Sequence, residues 1–327
     1  MIGAHHSTAQ RRGWLGVALR WTAGVAVLLL LAHFFPLASL RAALARVPLW
    51  EFLVVLFAYL LAHSVGILKW RMVVNSTGAG LDLRTSAQCY TGGLFGTLFL
   101  PSIIGGDVVR LAVGLRRSSR PAAVLAGNVA DRFLDAAAQA ALVLAGLILL
   151  PGTMQGAWQL VAKKTVGIAA LVALAVVIVG ALLPRLLLRG RSFRFRRWLA
   201  RLKHALHAVS RRPQILLFAW ILGVLVQASL LMLTVRLAVS CGLDLPLDAW
   251  LFAWPLAKLA AMLPLTQGGV GVREAALVVL LMPFGAPGSL VLAAGLAWEG
   301  VIIAGGLASG LVALLLRRFE ISKPLIR

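Results

Sequence analysis

The amino-acid sequence predicts an all-α polytopic membrane protein: an inverted-repeat helical bundle of six full spans plus two re-entrant broken-helix hairpins, about eight apolar segments in all. Three observations carry that prediction. The 327 residues are 61% hydrophobic and only 13% charged, whereas soluble domains are about a quarter charged. Apolar runs long enough to cross a bilayer recur along the whole chain. Two polar, glycine-rich interruptions recur with the same spacing in its two halves.

Charge narrows the class of function. The net charge is +22, from 32 Lys/Arg against 10 Asp/Glu. In a soluble chain that balance would suggest nucleic acid. Here it reads as basic residues gathered in cytoplasmic loops beside anionic headgroups, so no nucleic-acid partner is expected. Cys89 and Cys241 lie in apolar surroundings without CxxC spacing and read as free thiols. The run from Trp14 to Phe35 is long for a signal-peptide core, and more spans follow, so it reads as a retained first helix.

Taken in order, residues 1–13 form a tail holding Arg11 and Arg12, and a first repeat covers 14–150. It contains spans at about 14–35 and 49–68, then a polar piece with Lys69, Trp70, Arg71, Asn75, Asp82 and Arg84. An apolar piece rich in small residues, 85–100, leads to the first interruption, and a long span runs from 121 to 150. The second repeat covers 165–316: a span at 165–184, a basic linker at 185–212, a span at 213–240, an apolar piece at 249–264, the second interruption, and a span at 289–316. Residues 317–327 close the chain as a second tail. The linker has ten Lys/Arg and no acid, with Phe195, Trp198, Leu199, Leu202, Leu206 and Val209 at helical spacing, the pattern of an amphipathic helix lying on a membrane face. His204 and His207 fall within it; two histidines are too few for a metal site and read as a solvated face.

The interruptions carry the repeat. Leu100-Pro101, Gly105-Gly106 and Arg110 match Leu263-Pro264, Gly268-Gly269 and Arg273 in order and spacing. If each interrupted segment dips in and returns on one side, the basic segments 69–88, 110–120 and 185–212 fall with both termini on the cytoplasmic side. Only Arg41, Arg46, Lys163 and Lys164 fall in the outside connectors. The two hairpins then enter from opposite faces. Eight full crossings keep the termini inside but put 116–120 outside, against the charge bias.

Candidate site residues follow from what the membrane penalises. A glycine-rich start to a short helix exposes N–H donors that favour an anion, and Arg adds a fork suited to phosphate or carboxylate. Gly105, Gly106, Asp107 and Arg110, with Gly268, Gly269, Gly271, Arg273 and Glu274, are therefore candidate substrate-binding residues. Asp131, Arg132 and Asp135 lie deep in the span 121–150, with Asn128, Asp131 and Asp135 on one face, and Glu299 is equally deep in the last span. Charges at that depth need a partner or a cavity. Two uses are open: pairing that locks helices, such as Arg110–Asp131 or Arg273–Glu299, or a functional one, a proton or cation relay or recognition of a headgroup. Lys258, Arg236, His63 and Gln267 are weaker cases, expected to snorkel or make single hydrogen bonds. No HExxH, P-loop, GxSxG or Cys/His metal set is present, so no catalytic residue, metal or cofactor is expected and the chain does not read as an enzyme.

The stretches "LKWRMVV", "LFLPSIIGGDVVRLAVG", "NVADRFLD" and "LPLTQGGVGVREAAL" resemble the flippase-like membrane family typified by the N-terminal transmembrane region of lysylphosphatidylglycerol flippase/synthases. The resemblance spans about 15–316 and implies an all-helical bundle that moves lipids or polyprenyl-linked lipids between leaflets; some members accompany hopanoid biosynthesis. The soluble aminoacyl-transferase domain of the bifunctional enzymes has no counterpart in these residues, so no synthase activity is expected. The expectation is a translocator in the bacterial inner membrane that holds an anionic lipid headgroup at the two Gly-Gly/Arg motifs. The alternative is a non-transporting partner that docks lipid- or envelope-biosynthesis enzymes through the basic helix 193–210.

Overall fold

The structure, a computed structural model, describes residues 37–100, 104–149, 211–262 and 266–321, with scattered positions in 22–30 and 200–208. Among these the regular elements are all helical, nine α-helices and one 3-10 turn. They are α1 (Leu37–Ala45), α2 (Leu49–Ser76), α3 (Leu83–Thr97), α4 (Ile104–Arg117), α5 (Pro121–Leu149), α6 (Pro213–Ser240), α7 (Leu247–Ala260), α8 (Val272–Leu281) and α9 (Gly288–Ile321), with the 3-10 turn at Met282–Phe284. The predicted spans at 14–35 and 165–184, most of the linker 185–212 and the tail 1–13 lie outside the described residues.

Four helices are long and apolar enough to cross a membrane: α2, α5, α6 and the first 30 residues of α9. Each has 28 to 30 residues in its spanning part, about 42–45 Å at helical rise, against a hydrocarbon core of about 30 Å. Their outer faces carry exposed Leu53, Phe57, Leu225, Leu307 and Leu311, as lipid-facing surfaces do. The protein is a multi-pass helical membrane protein. The second span is longer than its apolar run and ends at Ser76, not near 68. The helix runs on through Lys69 because that charge is met inside the bundle, as described below.

Two pairs of shorter helices account for the interruptions. α3 and α4 have 15 and 14 residues, fewer than the roughly 20 that a crossing needs. Asp82 caps α3 by accepting the Thr85 amide at 3.1 Å, and its hydrogen bonding with Thr85 holds the Asp82 carboxyl below the usual carboxylate range. The pair begins and finishes at one end of the bundle, where side chains tie the connections together. Thr77 Oγ1 donates to Ala123 O at 2.8 Å, Ser118 Oγ to Ala79 O at 3.1 Å, and Arg120 Nη1 to Gly78 O at 3.1 Å. At the opposite end, Glu51 at the start of α2 holds the end of α6 through Arg236 Nε at 2.7 Å and Ser240 Oγ at 2.6 Å. The pair α7 and α8, of 14 and 10 residues, begins at that end with α7. The tips of the two pairs touch: a Cβ built on Gly268, which has φ of +59°, would lie 3.3 Å from the Thr97 carbonyl oxygen.

Small residues set the helix spacing, since apolar side chains gain nothing by leaving lipid for one another and close contact must hold the helices together. α9 offers Gly305, Gly306 and Gly310 to Tyr59, Leu98 and Phe95. α5 offers Gly127 to α2, where a Cβ would stand 2.5 Å from Val74 Cα. Because that neighbour is backbone, Gly127→Ala should lower stability by about 1–3 kcal/mol, read as a fall in melting temperature in detergent; an unchanged melt would mean α2 and α5 do not cross there.

Candidate functional site: a buried charge cluster beside the first hairpin

The face of α5 that carries Asn128, Asp131 and Asp135 turns inward against α2. Asn128 Oδ1 accepts the indole N–H of the fully buried Trp70 at 3.1 Å. Next to it, Lys69 Nζ lies 2.7 Å from Asp131 Oδ1 and also donates to Asp135. Lys69 is 3% exposed and Asp131 0%, so these charges are out of water and each depends on the other. Arg132 closes the cluster from its half-exposed side, 2.7 Å from Asp131 Oδ2, 2.7 Å from Asp135 Oδ2 and 3.4 Å from Asp107 Oδ2 on α4. The first hairpin is thereby joined to α5 through charge.

Arg110 sits one turn after Asp107 and differs from its neighbours. Its guanidinium lies over the Tyr90 ring at 4.1 Å and faces Trp70 at 5.8 Å, a desolvated cation–π setting. Nη1 is 3.5 Å from Asp107 and 3.8 Å from Asp131, longer than the roughly 2.7–2.9 Å of a charge-assisted hydrogen bond. Nε and Nη1 are buried without a hydrogen-bond partner. The pairing foreseen between Arg110 and Asp131 therefore exists only as a loose contact.

A cavity of about 130 Å³ opens beside these groups, lined by Lys69, Tyr90, Asp107, Arg110, Arg132 and Asp135, with Gln227 of α6 and Lys258 of α7 opposite. Lys258 Nζ donates to Gln227 Oε1 at 2.7 Å and lies 5.0 Å from the Trp254 ring centre. His63 Nδ1 is 3.3 Å from the Tyr90 hydroxyl. The wall thus carries four cations and two carboxylates, with the buried Asp131 behind Lys69 and Arg132 as a third. The space has room for a phosphate or carboxylate group.

The second motif is built differently. Arg273 gives Nη2 to Glu274 Oε1 at 2.6 Å and to Glu299 Oε2 at 2.5 Å, and Nε to Glu274 at 3.1 Å. Glu274 also accepts the Gly271 amide at 2.7 Å, capping α8. Of the two foreseen pairings this one is tight, and none of its three side chains lines the cavity. The glycines differ as well. Gly268, Gly269 and Gly271 have φ of +59°, +80° and +82°, which a turn requires and L side chains resist. Gly105 and Gly106 lie inside α4, where they admit Leu100, Thr97 and the Gly93 carbonyl at close range. Asp107 is likewise within the first turns of α4 rather than ahead of it. Gln267, 1% exposed, leaves both amide atoms without a hydrogen-bond partner at the second tip.

Sequence reading did not single out Lys69, Tyr90 or the Lys258–Gln227 pair as parts of one site. A signal for Lys69 did exist: two acids on one buried face of α5 demand a cation, and Lys69 follows directly on a long apolar run. Among the described residues no group of three or more His, Cys, Asp or Glu is placed to hold a metal ion.

Fold and site together define a class: a multi-pass helical membrane protein with an ionised cluster sunk among its helices and broken helices at its centre. A family model described as the lysylphosphatidylglycerol synthase TM region matches residues 14–310, and the chain belongs to that family. The resemblance read from the motifs is thus borne out. No curated protein and no solved structure matches the chain.

The cluster makes a stability prediction. Lys69→Met removes the buried cation and leaves Asp131 and Asp135 to Arg132, and should cost about 3–5 kcal/mol. Adding Asp131→Asn should recover part of that loss, giving a coupling of at least about 1 kcal/mol in a double-mutant cycle of melting measurements; strict additivity would mean the ion pair does not form.

Proposed function

We propose that the protein is a lipid translocator of the bacterial inner membrane, which carries a phosphate-bearing headgroup past the midplane through the cavity beside Arg110. The observation that carries the reading is the Arg110 guanidinium on the wall of this cavity, buried against the Tyr90 ring with Nε and Nη1 lacking hydrogen-bond partners. A donor pair left unsatisfied out of water costs roughly 1–3 kcal/mol, and a transient phosphate oxygen relieves that cost. Family membership points to membrane lipid chemistry in general; the transport step is our inference. The lipid moved is a phospholipid, a polyprenyl-linked lipid or a hopanoid-type lipid, and the protein changes its leaflet rather than its covalent structure.

In this proposal the two halves divide the labour. Arg110 holds the anion, while Arg273, tied to Glu274 and Glu299, stiffens the second hairpin and its turn. Asp131 and Asp135, through Lys69 and Arg132, keep the cavity near charge balance, so one phosphate neutralises it. The hairpins enter from opposite faces as an inverted pair, and both termini are cytoplasmic. Support for this arrangement comes from the contact between the two tips and from the helix ends gathered at opposite ends of the bundle.

Reconstituted leaflet exchange of a phospholipid tests the role of Arg110. Arg110→Gln should slow exchange about 10- to 100-fold, the loss of one charged hydrogen-bonding pair at about 1.5–3 kcal/mol, at an unchanged melting temperature. Arg273→Gln should instead lower the melting temperature. Normal exchange by folded Arg110→Gln protein would refute the assignment. A separate experiment tests orientation: single cysteines at 116–120 should react with a membrane-impermeant reagent only from the cytoplasmic side, and labelling only from outside would replace the hairpin with a full crossing.

A further inference from the structure

A second cavity lies on the other side of α3. It is a groove of about 560 Å³ between α3, α4 and α9, open to the surface of the bundle. Gly92, Phe95, Val113, Leu307, Leu311 and Leu314 form its apolar trough. Arg116, Arg117 and Arg317 gather at one end, and among the described residues no carboxylate lines it. That end is fixed by Arg84, which donates to the Leu316 carbonyl and so ties the start of α3 to α9 beside Arg317.

Two details point to an occupant. Gln88, 5% exposed, lines the arginine end, and its buried Nε2 has no hydrogen-bond partner. Gly92 leaves room in the trough, since a Cβ there would meet only Val109, at 3.9 Å. An apolar channel on a membrane-facing surface, with three guanidinium groups and an unused amide donor at one end, is complementary to an amphiphile whose anionic group sits beside its chain. Neighbouring residues of α3 face opposite ways, Gly92 into the groove and Gly93 into the polar cavity, so the groove is separated from Arg110 by the first hairpin itself.

We infer that the groove binds an anionic phospholipid, with one acyl chain along the Gly92–Leu311 trough and its phosphate at Gln88 and the arginines. This site does not rest on the translocation reading and stands whether or not the protein moves lipid. Its test is retention, not transport. Delipidated full-length protein is incubated with phosphatidylglycerol or with diacylglycerol of the same chains, and bound lipid is counted by native mass spectrometry. Wild type should keep phosphatidylglycerol at least about tenfold better than diacylglycerol, a difference of about 1.4 kcal/mol.

Gly92→Leu, which fills the trough, and the triple change Arg116→Gln, Arg117→Gln, Arg317→Gln, which alters only exposed side chains, should each reduce retention by a similar factor while staying monodisperse. Equal retention of the two lipids would overturn the inference, as would undiminished retention by the triple variant. Displacement of the lipid by saturating inorganic phosphate alone would mark a free-phosphate site and overturn it too.

Discussion

The Lys69 ammonium, out of water between the carboxylates of Asp131 and Asp135, is the contact on which the other features depend. It joins α2 to α5 with a strength that apolar packing in lipid cannot supply, because either side alone would be a bare charge in a low-dielectric medium. With Lys69 in place, Arg132 can bridge the same two acids and reach Asp107, which fixes α4 against α5. Arg110 is what this network leaves over. Both carboxylates within its range already have nearer partners, so its guanidinium rests on Tyr90 and keeps donors unused.

The two motifs are spelled alike and used differently. In the first hairpin the glycines bring helices close, and the arginine faces a cavity. In the second the glycines make a turn, and the arginine is enclosed by Glu274 and Glu299. The difference traces to the residue following each arginine. Glu274 is adjacent to Arg273 and reaches both its guanidinium and the Gly271 amide, whereas Arg110 is followed by Leu111 and must look to other helices. A repeat in spacing thus yields one arginine enclosed by carboxylates and one on the wall of a cavity.

Much of this was legible in the sequence, for reasons that differ by element. The spans at 121–150 and 213–240 matched α5 and α6 closely because long apolar runs ended by proline or a polar turn leave little choice. Asp131 and Asp135 were marked as deep charges because depth along a single helix follows from residue count. Lys69 was misplaced in a polar connection because its partners are about sixty residues away in sequence, and a hydropathy profile has no knowledge of contacts between helices. The glycine pairs looked equivalent because spacing alone does not distinguish a glycine needed for positive φ from one needed for close approach. Tyr90, which supplies the face beneath Arg110, carried no sign of that role, since one aromatic residue in an apolar stretch has many uses.

The most direct measurement is an experimental structure of the protein in nanodiscs rich in phosphatidylglycerol, resolved well enough to place a phosphate. The expected result is a phosphate oxygen within about 3 Å of Arg110 Nε or Nη1, with Lys69 still held between Asp131 and Asp135. An empty cavity, with Arg110 turned to make short bonds to Asp107 and Asp131, would contradict the claim that this arginine receives the headgroup.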